Sequence, residues 1–172
     1  MKDNIILIGF MGCGKTSVGI KLSYALKRPM IDTDKWIEKK QGISISQIFE
    51  KDGEAAFRQM ETECLKELIN TEEGRIISTG GGLPMKEENH KLLKQLGRVY
   101  YLKVTPEVVY QRLQGDTTRP LLQGENPEEK IRKLLSEREP VYAKRADSII
   151  EVSEKGFEEI IAEIIKKEST TK

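Results

Sequence analysis

Short stretches that are apolar at every position alternate along the chain with stretches whose apolar residues recur at helical spacing. Ile5-Ile6-Leu7-Ile8 opens the pattern as a strand buried on both faces. Val18, Leu22, Ala25 and Leu26 then mark a helix that starts near Lys15. Further strands are predicted over residues 29–32, 75–78, 99–104 and 148–152. Between them, Phe57, Met60, Cys64, Leu65 and Leu68 lie on one face of a helix over 54–69, and another helix is predicted over 86–96. Thr105-Pro106-Glu107 and Asn126-Pro127-Glu128 each read as a helix start, with a capping side chain, Pro at the first helical position and an acid in the first turn. Phe157, Ile160, Ile161, Ile164 and Ile165 define a final helix, followed by a polar, frayed tail over 168–172. Strands alternating with helices predict an α/β fold, a three-layer α/β/α domain around a five-stranded parallel sheet. Ligands of such sheets bind beyond the carboxyl ends of the strands.

Composition narrows the class. At 172 residues the chain is read as one domain over 1–172. Its 29 basic and 28 acidic residues leave a net charge of +1, without the basic excess of a nucleic-acid-binding module. No apolar run approaches a membrane span, and Gly14-Lys15-Thr16 stands where a leader peptide would carry its cleavage site. Two cysteines 51 positions apart and the one histidine, His90, make neither a Cys/His zinc site nor a disulfide framework. The expectation is a soluble cytoplasmic protein that is a monomer, with no nucleic acid or membrane among its partners.

Directly after the first strand comes Gly9-Phe10-Met11-Gly12-Cys13-Gly14-Lys15-Thr16, a phosphate-loop pattern with a helix behind it. Such a loop aims successive backbone N–H groups at one anion and adds the dipole of the helix that follows. Lys15 supplies a charge for the β/γ-phosphates, and the Thr16 hydroxyl is suited to Mg²⁺. The pattern predicts a P-loop NTPase fold that binds ATP. Cys13, inside the loop, is either a thiol reactive at the phosphate site or a small residue with its sulfur turned into the core.

The ends of the other strands indicate the acceptor. Asp32-Thr33-Asp34 offers two carboxylates, one for a metal shell and one for an acceptor hydroxyl; helix capping is the alternative use. Glu54, Arg58 and Glu61 share one stripe of their helix, as a surface ion-pair ladder or as an arginine held by two carboxylates to face a ligand carboxylate. With 20 lysines and nine arginines, solvated positive charge is mostly lysine, which draws attention to Arg58, Arg119 and Arg138. Gly80-Gly81-Gly82 is a costly run that suggests backbone held close to a ligand. Residues 115–125 read as a lid carrying Arg119, or as a plain surface loop.

Taken in order, the phosphate loop, Asp32-Thr33-Asp34, Phe49, Phe57-Arg58, Glu61, the triple glycine, Arg119-Pro120-Leu121-Leu122, and Arg138 with Pro140 and Tyr142 resemble the shikimate kinase family. The resemblance runs from residue 4 to about 165. It implies transfer of phosphate from ATP to the 3-hydroxyl of shikimate, giving shikimate 3-phosphate and ADP, in aromatic amino-acid (chorismate) biosynthesis. It further implies nucleotide binding by Gly12, Cys13, Gly14, Lys15, Thr16, Ser17, Arg112 and Arg119, with Arg112 over the adenine, and Mg²⁺ held by Thr16 with Asp32 behind it. Substrate would be bound across 33–62 and beyond by Asp34, Phe49, Phe57, Arg58, Glu61, Gly80, Gly81, Gly82 and Arg138. Lys15, Asp34 and Arg119 would carry the catalysis. Lys155 is the one candidate for a further basic nucleotide contact. The alternatives are another small-metabolite or nucleotide kinase of the same fold, and a non-catalytic ATP-binding regulatory module.

Overall fold

A computed structural model describes residues 2–116 and 124–171. Five strands, β1 (Ile5–Ile8), β2 (Met30–Asp32), β3 (Ile76–Ser78), β4 (Arg98–Lys103) and β5 (Ser148–Glu151), form one all-parallel sheet in the order β2-β3-β1-β4-β5. The central strand β1 is apolar throughout because neither face meets water; all four of its residues are fully buried. Eight helices among the described residues cover the sheet: α1 (Lys15–Leu26), α2 (Thr33–Gln41), α3 (Ile45–Asp52), α4 (Glu54–Thr71), α5 (Glu87–Leu96), α6 (Pro106–Leu113), α7 (Pro127–Arg145) and α8 (Phe157–Thr170).

Register places the site. Leu7 of β1 and Asp32 of β2 both pair with Ser78 of β3, so three strands end flush. The phosphate loop, the Asp-Thr-Asp segment and the triple glycine leave these three ends side by side. A 3-10 turn over Leu83–Met85 then carries the chain from the glycines towards α5.

The five strands and most helices lie where the sequence pattern puts them. One helix is added to that pattern and two local readings are corrected. The segment after α2 contains α3, whose Ser44 and Gln47 close a reciprocal capping box without a long apolar run to announce it. Asn126 does not cap α7 with its side chain; it takes a left-handed φ of +54°, and the start signal is carried by Pro127 with Glu128 and Glu129 in the first turn. The tail does not begin at Glu168. Helix α8 continues to Thr170, and Glu168 accepts hydrogen bonds from Arg98 at 2.7 Å and Tyr100 at 2.5 Å. Its charge is used by the buried Tyr100 and the partly buried Arg98 on β4, contacts too distant in sequence for periodicity to show.

Candidate active site

The loop between β1 and α1 is shaped for an anion. Gly14 sits at the N-cap of α1 with φ +98°, a left-handed value that a side chain would strain, and no side chain caps the first turn. The N–H groups of that turn, their dipole and Lys15 therefore face a common space. Lys15 Nζ donates to the carbonyls of Gly9 at 2.6 Å and Phe10 at 3.1 Å, which holds the ammonium over its own loop. A cavity of about 270 Å³ opens here, lined by Gly12, Gly14, Lys15, Thr16, Ser17, Asp32, Asp34, Ser78, Thr79, Gly80 and Gly81 among others.

Asp32 ends β2 beside the phosphate cavity. Its Oδ1 caps α2 by accepting from the N–H groups of Asp34 at 2.9 Å and Lys35 at 3.1 Å, while the residue also lines the phosphate cavity. The cap leaves Asp32 on the wall of that cavity, so capping and a ligand-facing position are compatible. Asp34 is the second residue of α2. Burial and the neighbouring Asp32 charge raise its proton affinity, against the pull of Lys15.

The acceptor side is built on α4, α7 and the glycines. Arg58 donates to Glu61 at 2.6 Å and to Glu54 at 3.3 Å, so two carboxylates of its own helix hold the guanidinium. Glu61 is 1% exposed, and its second oxygen, Oε2, has no hydrogen-bond partner. Burial pushes its carboxyl up to about 7, with Arg58 opposing the shift and Asp34 adding to it. Arg58 and Arg138 line one cavity of about 520 Å³ with Glu54, Ala55, Gly82, Met85 and Lys86. Each arginine lies over a buried ring, Arg58 at 5.4 Å from the Phe57 centroid and Arg138 at 5.8 Å from that of Phe10. Phe49 packs on Phe57 with centroids 5.1 Å apart.

Close approach explains the first and third glycines of the run. A Cβ on Gly82 would stand 2.5 Å from an Arg58 nitrogen, and one on Gly80 would stand 2.8 Å from Asp34 Oδ1 and 3.0 Å from Glu61 Oε2. The side chains of the acceptor site occupy the space where these glycines lack their own.

Several sequence expectations resolve at the nucleotide end. Cys13 is 1% exposed, and a Cβ on Gly9 would come within 2.8 Å of its sulfur, so the thiol is packed in the core. The reactive-thiol reading fails because the loop turns that side chain inward and presents backbone outward. Arg112 donates to the Gly12 carbonyl at 2.9 Å. Its NH1 and Cε1 of Phe157 lie 3.7 and 3.6 Å from where Gly14 would carry a Cβ. Lys155 pairs with Glu163 at 2.7 Å. Arg119 lies outside the described residues.

Some contributors were not read from the sequence. Phe157 was assigned only to the apolar stripe of α8, yet its ring is 38% exposed beside the loop. Thr33 Oγ1 accepts from the Gly80 N–H at 3.1 Å. Tyr142 donates to the Gly81 carbonyl at 2.6 Å. The signals were present (the middle of Asp-Thr-Asp, the tyrosine four residues after Arg138), but their partners lie 47 and 61 positions away.

Comparison with known proteins gives a consistent answer. The shikimate kinase family model matches residues 11–168. A shikimate kinase from Thermodesulfovibrio yellowstonii is 46% identical over 164 residues, covering 95% of this chain and 94% of that one. The structure of a shikimate kinase from Acinetobacter baumannii in complex with shikimate superposes with a TM-score of 0.91 at 41% identity, covering 100% of this chain and 96% of that one. A deoxyadenosine kinase from M. mycoides with bound dATP, at 17% identity and a TM-score of 0.61 over 96% of this chain, shares the fold alone. With a phosphate loop, a double-arginine cavity and near-complete coverage by these relatives, the chain belongs to the shikimate kinase family.

Proposed function

We propose that this protein transfers the γ-phosphoryl group of ATP to the 3-hydroxyl of shikimate, releasing ADP and shikimate 3-phosphate. The observation that carries the reading is the convergence of Arg58 and Arg138 on one cavity beside the phosphate loop. Two arginines suit a planar carboxylate, and Asp34 with the glycine backbone suits ring hydroxyls.

In this reading Lys15 and the N-terminus of α1 hold the β/γ-phosphates, and Arg112 with Phe157 flanks the base. Arg58, kept in place by Glu54 and Glu61, and Arg138 grip the substrate carboxylate, with Phe49 and Phe57 on the apolar side. Asp34 accepts a hydrogen bond from the reacting hydroxyl and takes its proton as the oxygen bonds to phosphorus; its raised proton affinity favours that role. The bond from phosphorus to the bridging oxygen breaks towards ADP, and Lys15 neutralises charge on the transferred group. Arg119, assigned by its motif, adds charge to the same group.

Among the described residues no cluster of three His, Cys, Asp or Glu side chains forms a metal cage. The donors that share the phosphate cavity are the Thr16 hydroxyl and the Asp32 carboxylate. Hard oxygen ligands in that number fit Mg²⁺, which takes its remaining ligands from phosphates and water. Bound there, it would offset the negative charge of the phosphates. Thr16 and Asp32 are the residues that would hold it.

The same proposal takes the chain as a single kinase domain acting as a monomer. Two free thiols and the use of ATP support a cytoplasmic setting. No helix among the described residues is long and apolar enough to cross a membrane. ADP release measured with shikimate, with a nucleoside monophosphate and with neither tests the proposal. Stimulation by shikimate alone is expected. Equal stimulation by the nucleotide would make this a nucleotide kinase, and stimulation by neither would leave a regulatory ATP-binding module.

A further inference from the structure

Gly80, Gly81, Gly82 and Leu83 form a reverse turn closed by the Leu83 N–H on the Gly80 carbonyl at 3.2 Å. Gly82 has φ −90° and ψ −12°, the third-residue values of a type I turn. A glycine at that position favours the type II alternative, in which the central peptide is turned over by half a revolution. With glycine also at the second position, nothing in the local sequence opposes the flip. A residue that would choose type I at Gly82 would displace the Arg58 guanidinium, which lies 2.5 Å from where its Cβ would stand. Turn type must therefore be selected from outside.

The selecting contact is visible. The Tyr142 hydroxyl donates to Gly81 O at 2.6 Å, and that oxygen belongs to the central peptide of the turn. Tyr142 is fully buried, and its ring packs on Tyr101 with centroids 5.1 Å apart, so the hydroxyl is aimed by the core. Across a trans peptide the carbonyl and the next N–H point in opposite directions. Fixing Gly81 O therefore fixes the direction of the Gly82 N–H, and the Leu83 bond to Gly80 O does the same for the Gly81 N–H. Among the described residues neither N–H is given to a protein acceptor. Gly81 borders the phosphate cavity, and Gly82 borders the double-arginine cavity.

We propose that Tyr142 is a positioning residue for the acceptor, locking the Gly81–Gly82 peptide so that the Gly82 N–H is held towards the bound substrate. The inference rests on the assignment of the Arg58–Arg138 cavity to shikimate. It deepens that assignment by naming what orients the glycine backbone. Loss of the hydroxyl frees the peptide to turn over, which withdraws one donor and presents a carbonyl in its place.

Tyr101 supplies a matched control. Its hydroxyl is also buried on β4 but has no hydrogen-bond partner. Steady-state kinetics and thermal melts of Tyr142→Phe, Tyr101→Phe and Arg58→Ala form the test. Tyr142→Phe should raise KM for shikimate about 5–10-fold, with kcat and KM for ATP held within about twofold. Tyr101→Phe should leave all three constants at wild-type values. In ¹⁵N-glycine-labelled protein free of ligand, the Gly82 amide should broaden or double in Tyr142→Phe only. If Arg58→Ala raises KM for shikimate while Tyr142→Phe does not, the tyrosine inference is overturned alone. If neither variant moves it, the cavity assignment falls and takes the inference with it. A Tyr142→Phe protein that fails to fold, or that loses ATP and shikimate affinity together, would also overturn it by making the hydroxyl a general stability element.

Discussion

Residue by residue, the site is a set of charges whose positions are set by other charges. Arg58 and Arg138 are assigned to one carboxylate, and each has a ring beneath it to limit where the guanidinium can swing. Arg58→Ala and Arg138→Ala should each raise KM for shikimate about 10–100-fold, since a charge-assisted hydrogen bond contributes ~1.5–3 kcal/mol. Separate titrations of each variant with ATP should give affinities near wild type; a matching loss would remove the arginines from the acceptor side. Glu61 adds a pH dependence. Its carboxyl titrates near 7 in the fold and in the ordinary carboxylate range when unfolded, because burial outweighs Arg58. Between those values the folded state holds a proton that the unfolded state has lost, so this group's contribution to stability falls as pH rises towards 7. Glu61→Gln cannot titrate. Its melting temperature relative to wild type should therefore rise between pH 5 and pH 8, and a constant difference would show that the burial cost is not felt. Little of this was open to sequence reading. The ladder Glu54-Arg58-Glu61 was legible as a pattern, but its use depended on Gly82 leaving room for the guanidinium, which only the folded chain reveals.

At the level of elements, the strands and the chemistry at their ends were legible because both are local. β1 is apolar at every position, and the phosphate loop follows from glycines that permit left-handed turns. Asp32 shows why the choice between cap and ligand was undecidable from sequence: one carboxylate ends β2, caps α2 and lines the phosphate cavity. The start of α8 was less legible. Its apolar stripe predicts that Phe157 is core, yet as the first residue of the helix it reaches Gly14 and stays partly exposed. Lys21 lies 5.6 Å from the ring centroid, and Arg112 approaches the same glycine. A ring and a guanidinium at the mouth of a phosphate loop suit the two faces of a purine. Stacking of a base on an aromatic residue is worth about 1 kcal/mol or more. Phe157→Ala should then raise KM for ATP about fivefold and leave KM for shikimate unchanged. Wild-type ATP constants in that variant would return Phe157 to a packing role.

Across the whole molecule, α8 connects the nucleotide end to the opposite end of the sheet. It starts beside the phosphate loop and carries, in its last turn, Glu168, which accepts from Arg98 and Tyr100 on β4. The Tyr100 ring is fully buried, and the Glu168 side chain is 12% exposed, so the cluster is largely out of water. Removing the carboxylate leaves a tyrosine hydroxyl and an arginine without their acceptor, a loss of ~1–3 kcal/mol. In a chain of this size each kcal/mol shifts the melting temperature by roughly 2–4 °C. Glu168→Ala should therefore melt about 2–12 °C below wild type. Tyr100→Phe combined with it should cost less than the sum of the two single changes, because the partners share one oxygen. At 25 °C both KM values and kcat should stay at wild-type levels, since the phosphate loop holds its end of α8 through Phe157 and Gly14. Differential scanning calorimetry alongside kinetics separates the outcomes. An unchanged melting temperature would mean that the last turn of α8 is dispensable. A rise in KM for ATP without a loss of stability would mean that the far end of the helix sets the nucleotide site directly.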